Sequence, residues 1–264
     1  MFAMTKNEEI RKLLTENREA LLNGEPTNGI CFDGIVDEDC FDQQAIKLAV
    51  LLKETNGNDS EGNHQEVLAD WDYRSWLKEQ QAEGIPMPGE TKDPFYSSTF
   101  RKLCLWLTEF FDIATTGDCD FDQYFLNDGG VDIPKVRTAL KKVALINLKK
   151  SWGTEKTDAG KLYNYATNPA ISPILKRQLE IISPDVVVCG SSDVFETARN
   201  IFEIKNKDCV TKPSVTIPNK LMRYMVVGKT VFVDFFHPAW YGKGDAELAA
   251  YAKEVFSWIL QMRK

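Results

Sequence analysis

The segment "AIKLAVLLKETNG" (Ala45–Gly57) decides the fold, because a continuous apolar run in it ends in a carboxylate, an amide and a glycine. Successive residues of the run are apolar, rather than alternate ones, which is typical of a strand covered on both faces in a parallel sheet. The segments "VALIN" (143–147) and "DVVVCG" (185–190) have the same character. Helical patterns separate the three segments. We therefore predict an α/β fold with three layers, α/β/α, around a mostly parallel central sheet.

Local signals predict the elements around this sheet. Thr5 and Glu8 form a capping box at the start of a helical stripe that ends before Gly24. The segment "WDYRSWLKEQQ" (71–81) predicts a further helix. A glycine-first turn at 228–229 predicts a hairpin between two late strands, and an amphipathic helix follows this hairpin.

The composition is that of a globular protein with a substantial core. The chain has 264 residues, of which 43% are hydrophobic, and its formal net charge is -7 with a pI of about 5.1. Such a charge does not suit a general nucleic-acid coat protein, since phosphate contacts need a basic surface, but it allows a local basic patch beside a cleft. We see no linker or internal repeat. We predict one domain over residues 1–264, with residues 1–40 as an N-terminal helical extension.

The N-terminal sequence and the cysteines bear on the compartment and on metals. The start "MFAMTKNEEIRKLL" turns charged at once and no later segment is apolar for a bilayer's width, so we expect neither signal peptide nor membrane anchor, and a cytoplasmic location. Six cysteines without any CxxC pair indicate reduced thiols. The chain has two histidines, His64 and His237, which does not favour a histidine-based zinc site. We predict no metal and no cofactor.

Polar residues stand where the predicted strands end. Glu54 and Asn56 follow the first strand, Asn147 ends the second, Ser191 follows the third, and His237 ends the late segment "VFVDFFHP". In open α/β sheets ligands bind outside the carboxyl ends of the strands. The sequence therefore predicts that these side chains converge on one crevice.

Four motifs in this order resemble those of the uracil-DNA glycosylase superfamily: "LLKETNG", "ALINLKK", "PDVVVCGSSDVF" and "VFVDFFHPAW". Members of that superfamily carry a water-activating motif with a carboxylate at a strand end, then a strand-end asparagine. A Pro-Asp segment with three apolar residues and a glycine follows, and a strand ending in His-Pro comes last. The resemblance spans roughly residues 45 to 245, and it implies the fold of that superfamily.

The motifs also depart from the family pattern. "KETNG" is similar to the Gly-Glu-Ala-Pro-Gly form of the thermophilic branch, but Lys53 replaces its first glycine and Asn56 its proline. "INLKK" looks like that branch's Thr-Asn-x-x-Lys. Ala239 stands where family members have the serine of His-Pro-Ser, and the clustered cysteines of the branch's iron–sulfur site have no counterpart.

The resemblance implies roles for the strand-end residues. Glu54 would position water and stabilise the oxocarbenium-like sugar, while His237 would donate to the departing base. Asn147 has a donor and an acceptor side by side, which matches a pyrimidine edge, and Asn56 is placed with it among the base-binding residues. Trp71 or Tyr73 is the expected platform that stacks on the extruded base.

The resemblance also implies a DNA-binding rim. Trp240 or Tyr241 is a candidate wedge for the gap that a flipped base leaves. Ser191 lies in a Gly-Ser turn that suits a phosphate at a helix N-terminus, whereas we assign helix capping to Ser192. The predicted DNA-binding residues are Lys53, Lys149, Lys150, Ser191, Trp240, Tyr241 and Lys243.

Three functions fit these observations. The first is a DNA glycosylase-like hydrolase that removes uracil or another altered base, preferring single-stranded or mismatched DNA. The second is a catalytically inactive module on the same fold that binds a nucleobase, a nucleotide or nucleic acid, which the acidic charge and altered motifs favour. The third, an unrelated nucleotide-using α/β enzyme, is weakened because no GxGxxG or GxxxxGK[ST] motif follows any strand. The sequence does not indicate an oligomeric state.

Overall fold

The structure is a computed structural model of the chain. It describes residues 4–25, 29–54, 70–72, 74–75, 77–78, 98–152, 158–239, 242 and 244–263.

The bounds of the elements follow in chain order. The strands are β1 (Cys31–Phe32), β2 (Gly34–Ile35), β3 (Leu48–Leu52), β4 (Trp71–Asp72), β5 (Val143–Asn147), β6 (Val186–Cys189), β7 (Val210–Pro213), β8 (Leu221–Val227) and β9 (Thr230–Asp234). The α-helices are α1 (Lys6–Glu16), α2 (Arg18–Leu22), α3 (Glu38–Asp42), α4 (Ser98–Thr116), α5 (Ile133–Val136), α6 (Ala159–Ala166), α7 (Ser172–Ile182), α8 (Ser192–Ile201) and α9 (Asp245–Met262). Short 3-10 turns cover Phe121–Tyr124, Arg137–Lys142 and Asn206–Asp208.

The central sheet is mixed, and its middle strands are parallel. Its order is β2-β5-β3-β6-β9-β8-β7. The pairs β5–β3, β3–β6 and β6–β9 are parallel, whereas β2, β8 and β7 pair antiparallel at the two sides. Strands β1 and β4 form a small parallel sheet of their own. This confirms the prediction of a mixed α/β fold with a mostly parallel central sheet.

Helices cover both faces of the sheet, which explains the continuous apolar strands. In β3, Leu48 and Val50 belong to one core and Ala49 and Leu51 to the other, and all four are buried. Helices α4 and α9 line the first core; α1, α7 and α8 line the second. Burying each of the leucine and valine side chains stabilises the fold by about 1.5–3 kcal/mol. The arrangement is consistent with the three predicted layers.

Two predicted local signals are confirmed and a third is refined. Thr5 N donates to Glu8 Oε2 at 2.7 Å, and Glu8 N donates to Thr5 Oγ1 at 3.2 Å, so the capping box is formed. The hairpin turns at the predicted position, since Gly228 has a φ of 60° between the paired ends of β8 and β9. The N-terminal helical stripe is broken at Asn17, whose side chain caps α1 by donating to Leu13 O.

The prediction of a helix from Trp71 is wrong at its start. Trp71 and Asp72 form β4, which runs parallel to β1, and Trp71 N donates to Ile30 O at 3.1 Å. The helical residues 74–75 and 77–78 come after Asp72, whose carboxylate accepts from Ser75 N at 3.1 Å. A tertiary partner therefore overrides the helical pattern for these first two residues.

The segment predicted as an N-terminal helical extension contains the helices α1 and α2 and also the strand β2 of the central sheet. β2 pairs antiparallel with β5, and Cys31 N donates to the carbonyl oxygen of Lys150 at 2.8 Å. Residues 30–35 are buried. Within the described residues, the helices are either too short or too polar to cross a membrane.

Candidate functional site

The carboxyl ends of the four parallel strands lie side by side. Leu52 pairs with Asn147, and Cys189 pairs with both Leu51 and Asp234. Neighbouring strands are about 4.8 Å apart, so the edge from β5 to β9 is about 14 Å wide. From β3 the chain crosses to β5 on one side, and from β6 it continues to β9 on the other, so β3 and β6 form the topological switch point where α/β sheets bind ligands.

Gly190 brings the last motif close to the end of β3. A Cβ at this position would lie 2.8 Å from Leu52 Cδ2, 3.3 Å from Leu51 O and 3.6 Å from Pro238 Cδ. The absence of a side chain therefore lets the His237–Pro238 segment pack over the end of β3. Close packing, rather than phosphate binding, accounts for the glycine of "VVVCGSS".

The carboxylate of Glu54 is held by a lysine. Lys149 Nζ lies 3.3 Å from Glu54 Oε2 and 2.8 Å from Glu25 Oε2, and Ser151 Oγ donates to Glu25 Oε2 at 2.7 Å. The side chains of Glu54, Lys149 and Glu25 are only 7%, 14% and 14% exposed. The backbone N–H of Lys149 donates to the carbonyl of Lys53 at 2.9 Å, which extends the β3–β5 ladder past both strands.

Lys150 is not on the surface, contrary to the prediction that it contacts DNA. Its Nζ lies 2.7 and 2.8 Å from the two carboxylate oxygens of Asp33, and both residues are fully buried. Burial lowers the pKa of Lys150, and the charge of Asp33 opposes this shift. A buried carboxylate needs a compensating cation, which explains why the lysine points inward.

Asp33 also fixes the end of β5. Its carboxylate accepts a hydrogen bond from the backbone N–H of Asn147 at 2.6 Å and another from Gln178 Nε2 at 2.7 Å. Asn147 itself is buried. The base-reading candidate is thus attached to a network of buried polar groups that also includes Lys150, which restricts its position.

His237 is held as a neutral hydrogen-bond donor. Its Nδ1 accepts from the backbone N–H of Ala239 at 3.1 Å, so in the neutral ring the proton is on Nε2. Burial lowers the pKa of His237 to about 4, and the positive charge of Lys53 contributes to this shift. At neutral pH the ring is uncharged.

Lys53 and Ser191 lie at the N-terminus of α8. Lys53 Nζ pairs with the half-exposed carboxylate of Asp193 at 3.1 Å. Ser191, not Ser192, caps the helix, because its Oγ accepts from Val194 N at 3.2 Å. Ser192 Oγ instead donates to the buried carboxylate of Asp234 at 3.0 Å. The capping role assigned to Ser192 is therefore wrong.

Trp71 is already stacked on another aromatic ring. The rings of Trp71 and Trp152 are 5.1 Å apart between centroids with an interplanar angle of 19°, so one face of Trp71 is covered. Trp152 is buried, and its Nε1 has no hydrogen-bond partner among the described residues. This stack engages the ring that the sequence indicates as a platform for a base.

Some predicted site residues lie outside the described residues, namely Asn56, Tyr73, Trp240, Tyr241 and Lys243. Sequence reasoning did not single out Glu25, Asp33, Ser151 or Trp152. The last two directly follow "NLKK", which was a usable signal, whereas the two acids carry none. In the described part of the chain, no group of three or more His, Cys, Asp or Glu side chains is arranged to hold a metal ion.

Two comparisons with known proteins gave no match. No protein-family model matches the chain, and no curated protein matches it.

Proposed function

We propose that this protein is a DNA glycosylase-like hydrolase, which cleaves the N-glycosidic bond of uracil or another altered base. The observation that carries the proposal is the neutral His237, with its proton on Nε2, at the same sheet edge as the lysine-held carboxylate of Glu54. A donor for a departing base and a carboxylate for a cationic sugar are the two groups that this reaction needs.

The chemistry follows from where charge develops. As the bond between the sugar C1′ and the base nitrogen breaks, its electron pair leaves with the base, and C1′ becomes positive. Glu54 stabilises that positive charge and orients a water molecule towards C1′. His237 donates from Nε2 to a carbonyl oxygen of the base, where negative charge accumulates. The water adds its oxygen to C1′, and the proton that it loses reaches the base anion through solvent.

Asn147 is the proposed reader of the base. A side-chain amide offers one acceptor and two donors, which complement the alternating edge of a pyrimidine. Its backbone N–H is bound to the buried carboxylate of Asp33, which pre-organises the amide before the base arrives. Trp71 is the proposed stacking residue for the base.

The alternative is a catalytically inactive module that binds a nucleobase or nucleotide in the same crevice. The burial of Lys150 favours it, because the ion pair with Asp33 removes one of the lysines predicted to contact DNA. It predicts binding without base release.

The test is base release from uracil-containing single- and double-stranded oligonucleotides, read as strand cleavage after alkali under single-turnover conditions. His237→Ala and Glu54→Gln should each slow release on the order of a hundredfold, with nearly unchanged DNA affinity, because both groups act on charge developed in the transition state. Glu180→Gln is the matched control, because Glu180 forms an exposed pair with Arg177 on α7, and this variant should release the base at the wild-type rate. If the wild type binds the oligonucleotides without releasing the base, the result contradicts the hydrolase and supports the binding module.

A further inference from the structure

The ion network around Lys149 joins the N-terminal segment to the proposed catalytic carboxylate. We infer that Lys149 is a positioning residue that orients Glu54, and that Glu25 tunes this effect by competing for the same ammonium group. The inference rests on the proposed function, since it assigns a role to the surroundings of Glu54.

The distances indicate a shared ammonium. Lys149 Nζ is 2.8 Å from Glu25 and 3.3 Å from Glu54, so the shorter contact is with the acid that takes no part in the proposed reaction. Glu25 is fixed in turn by the hydroxyl of Ser151 at 2.7 Å. An ammonium has three N–H donors, which suffices for both acids. Because the backbone of Lys149 is bonded to Lys53, the lysine has a fixed origin beside Glu54.

The charges around Glu54 give the direction of each effect. Lys149 is the cation paired with it, and Glu25 is the acid that shares that cation. Lys53, the preceding residue, is paired with Asp193, and His237 is neutral at neutral pH. Two carboxylates and one ammonium carry a net charge of -1 in a largely buried setting, where such interactions are screened less than at the surface.

Removing the cation and removing the competing acid therefore have opposite consequences. Without Lys149, Glu54 and Glu25 become neighbouring carboxylates that repel each other, and Glu54 loses its orientation. Without Glu25, Lys149 loses the competing acid, and its ion pair with Glu54 tightens. A merely structural role for the network would disturb both variants in the same direction.

The experiment is single-turnover base release from a single-stranded uracil-containing oligonucleotide, with DNA affinity measured beside the rate. Lys149→Met should lower the maximal rate by about tenfold to a hundredfold, because Glu54 loses its orientation. Lys149→Arg should restore most of the rate. Glu25→Gln should not lower the rate, because Lys149 keeps its ion pair with Glu54 and loses the competing acid. DNA affinity should change little in all three variants.

Lys176→Met is the matched control, because Lys176 pairs with the exposed Glu203 rather than with Glu54 or Glu25. It should leave the rate unchanged. Circular dichroism checks that each variant is folded, and if Lys149→Met does not fold, the behaviour of Glu25→Gln and Lys149→Arg carries the test.

Two results separate the inference from the proposed function. An active wild type whose rate is unchanged in Lys149→Met, or is not restored by Lys149→Arg, overturns the role of Lys149 and leaves the glycosylase proposal standing. A folded wild type that releases no base from any substrate overturns the proposed function, and the role of Lys149 with it.

Discussion

Exchanging Lys150 for methionine should lower the free energy of unfolding by about 3–5 kcal/mol, the cost of removing one partner from a buried ion pair. The lysine ammonium lies 2.7 and 2.8 Å from the two oxygens of Asp33, and both residues are fully buried. In the variant the carboxylate keeps its hydrogen bonds from Gln178 and from the Asn147 backbone. Two lost charge-assisted hydrogen bonds at about 1.5–3 kcal/mol each give a loss of the same size.

The assay is equilibrium unfolding in urea followed by far-ultraviolet circular dichroism, with linear extrapolation to water. The double variant Asp33→Asn, Lys150→Met should recover most of the loss, because no buried charge then lacks its partner. The surface control Lys176→Met should stay within about 0.5 kcal/mol of the wild type. A loss below about 1 kcal/mol, typical of an exposed pair, would refute the burial argument. Weakened DNA binding at unchanged stability would return Lys150 to the DNA-binding rim.

Burial raises the pKa of Glu109 well above its ordinary value, and both its oxygens lack a hydrogen-bond partner within the described residues. The folded protein therefore loses stability as the pH rises from the unfolded pKa through the folded one, so Glu109→Gln should raise the melting temperature near about pH 8 but not near about pH 4; equal shifts at both values would contradict this. Gly190→Ala should destabilise the fold by about 1–3 kcal/mol and slow base release, because the new Cβ meets Leu52; wild-type stability and rate would show that the segment around His237 moves freely. The pKa of His237, about 4, predicts a neutral imidazole with its proton on Nε2 near about pH 6. A charged ring in ¹⁵N NMR spectra at that pH would contradict the role of His237 as a neutral donor. DNA affinity should fall with salt at a slope of about two to four phosphate contacts, and a slope of about six or more would reveal a basic face.

The parallel core was predictable because its cause is local. A strand covered on both faces must be largely apolar, and this pattern is visible in the sequences of β3, β5 and β6 themselves. The hairpin between β8 and β9 was predictable for the same reason, since the glycine-first turn lies within the two-residue loop that it forms.

The fate of the two lysines in "NLKK" was not predictable, because it depends on distant partners. Successive side chains at the end of a strand point in opposite directions. Lys149 meets Glu25 and Glu54, whereas Lys150 points into the core and meets Asp33, more than a hundred residues earlier in the chain. The strand at Trp71 was not predictable for the same reason, since it pairs with β1 and its N–H donates to the carbonyl of Ile30.

These partners change the expected grip on DNA. Of the lysines assigned to the rim, Lys150 is consumed by a buried carboxylate, and Lys149 is shared between two acids. Lys53 pairs with the half-exposed carboxylate of Asp193, which a phosphate can displace. With so few cations in contact with the DNA phosphates, the binding free energy offsets little of the few kcal/mol that base flipping from a duplex costs. A crevice whose donor and carboxylate are pre-organised, beside a rim with little positive charge, is therefore suited to a base that is already unpaired. On the proposed function, we therefore expect single-stranded or mismatched DNA to be a better substrate than fully paired duplex.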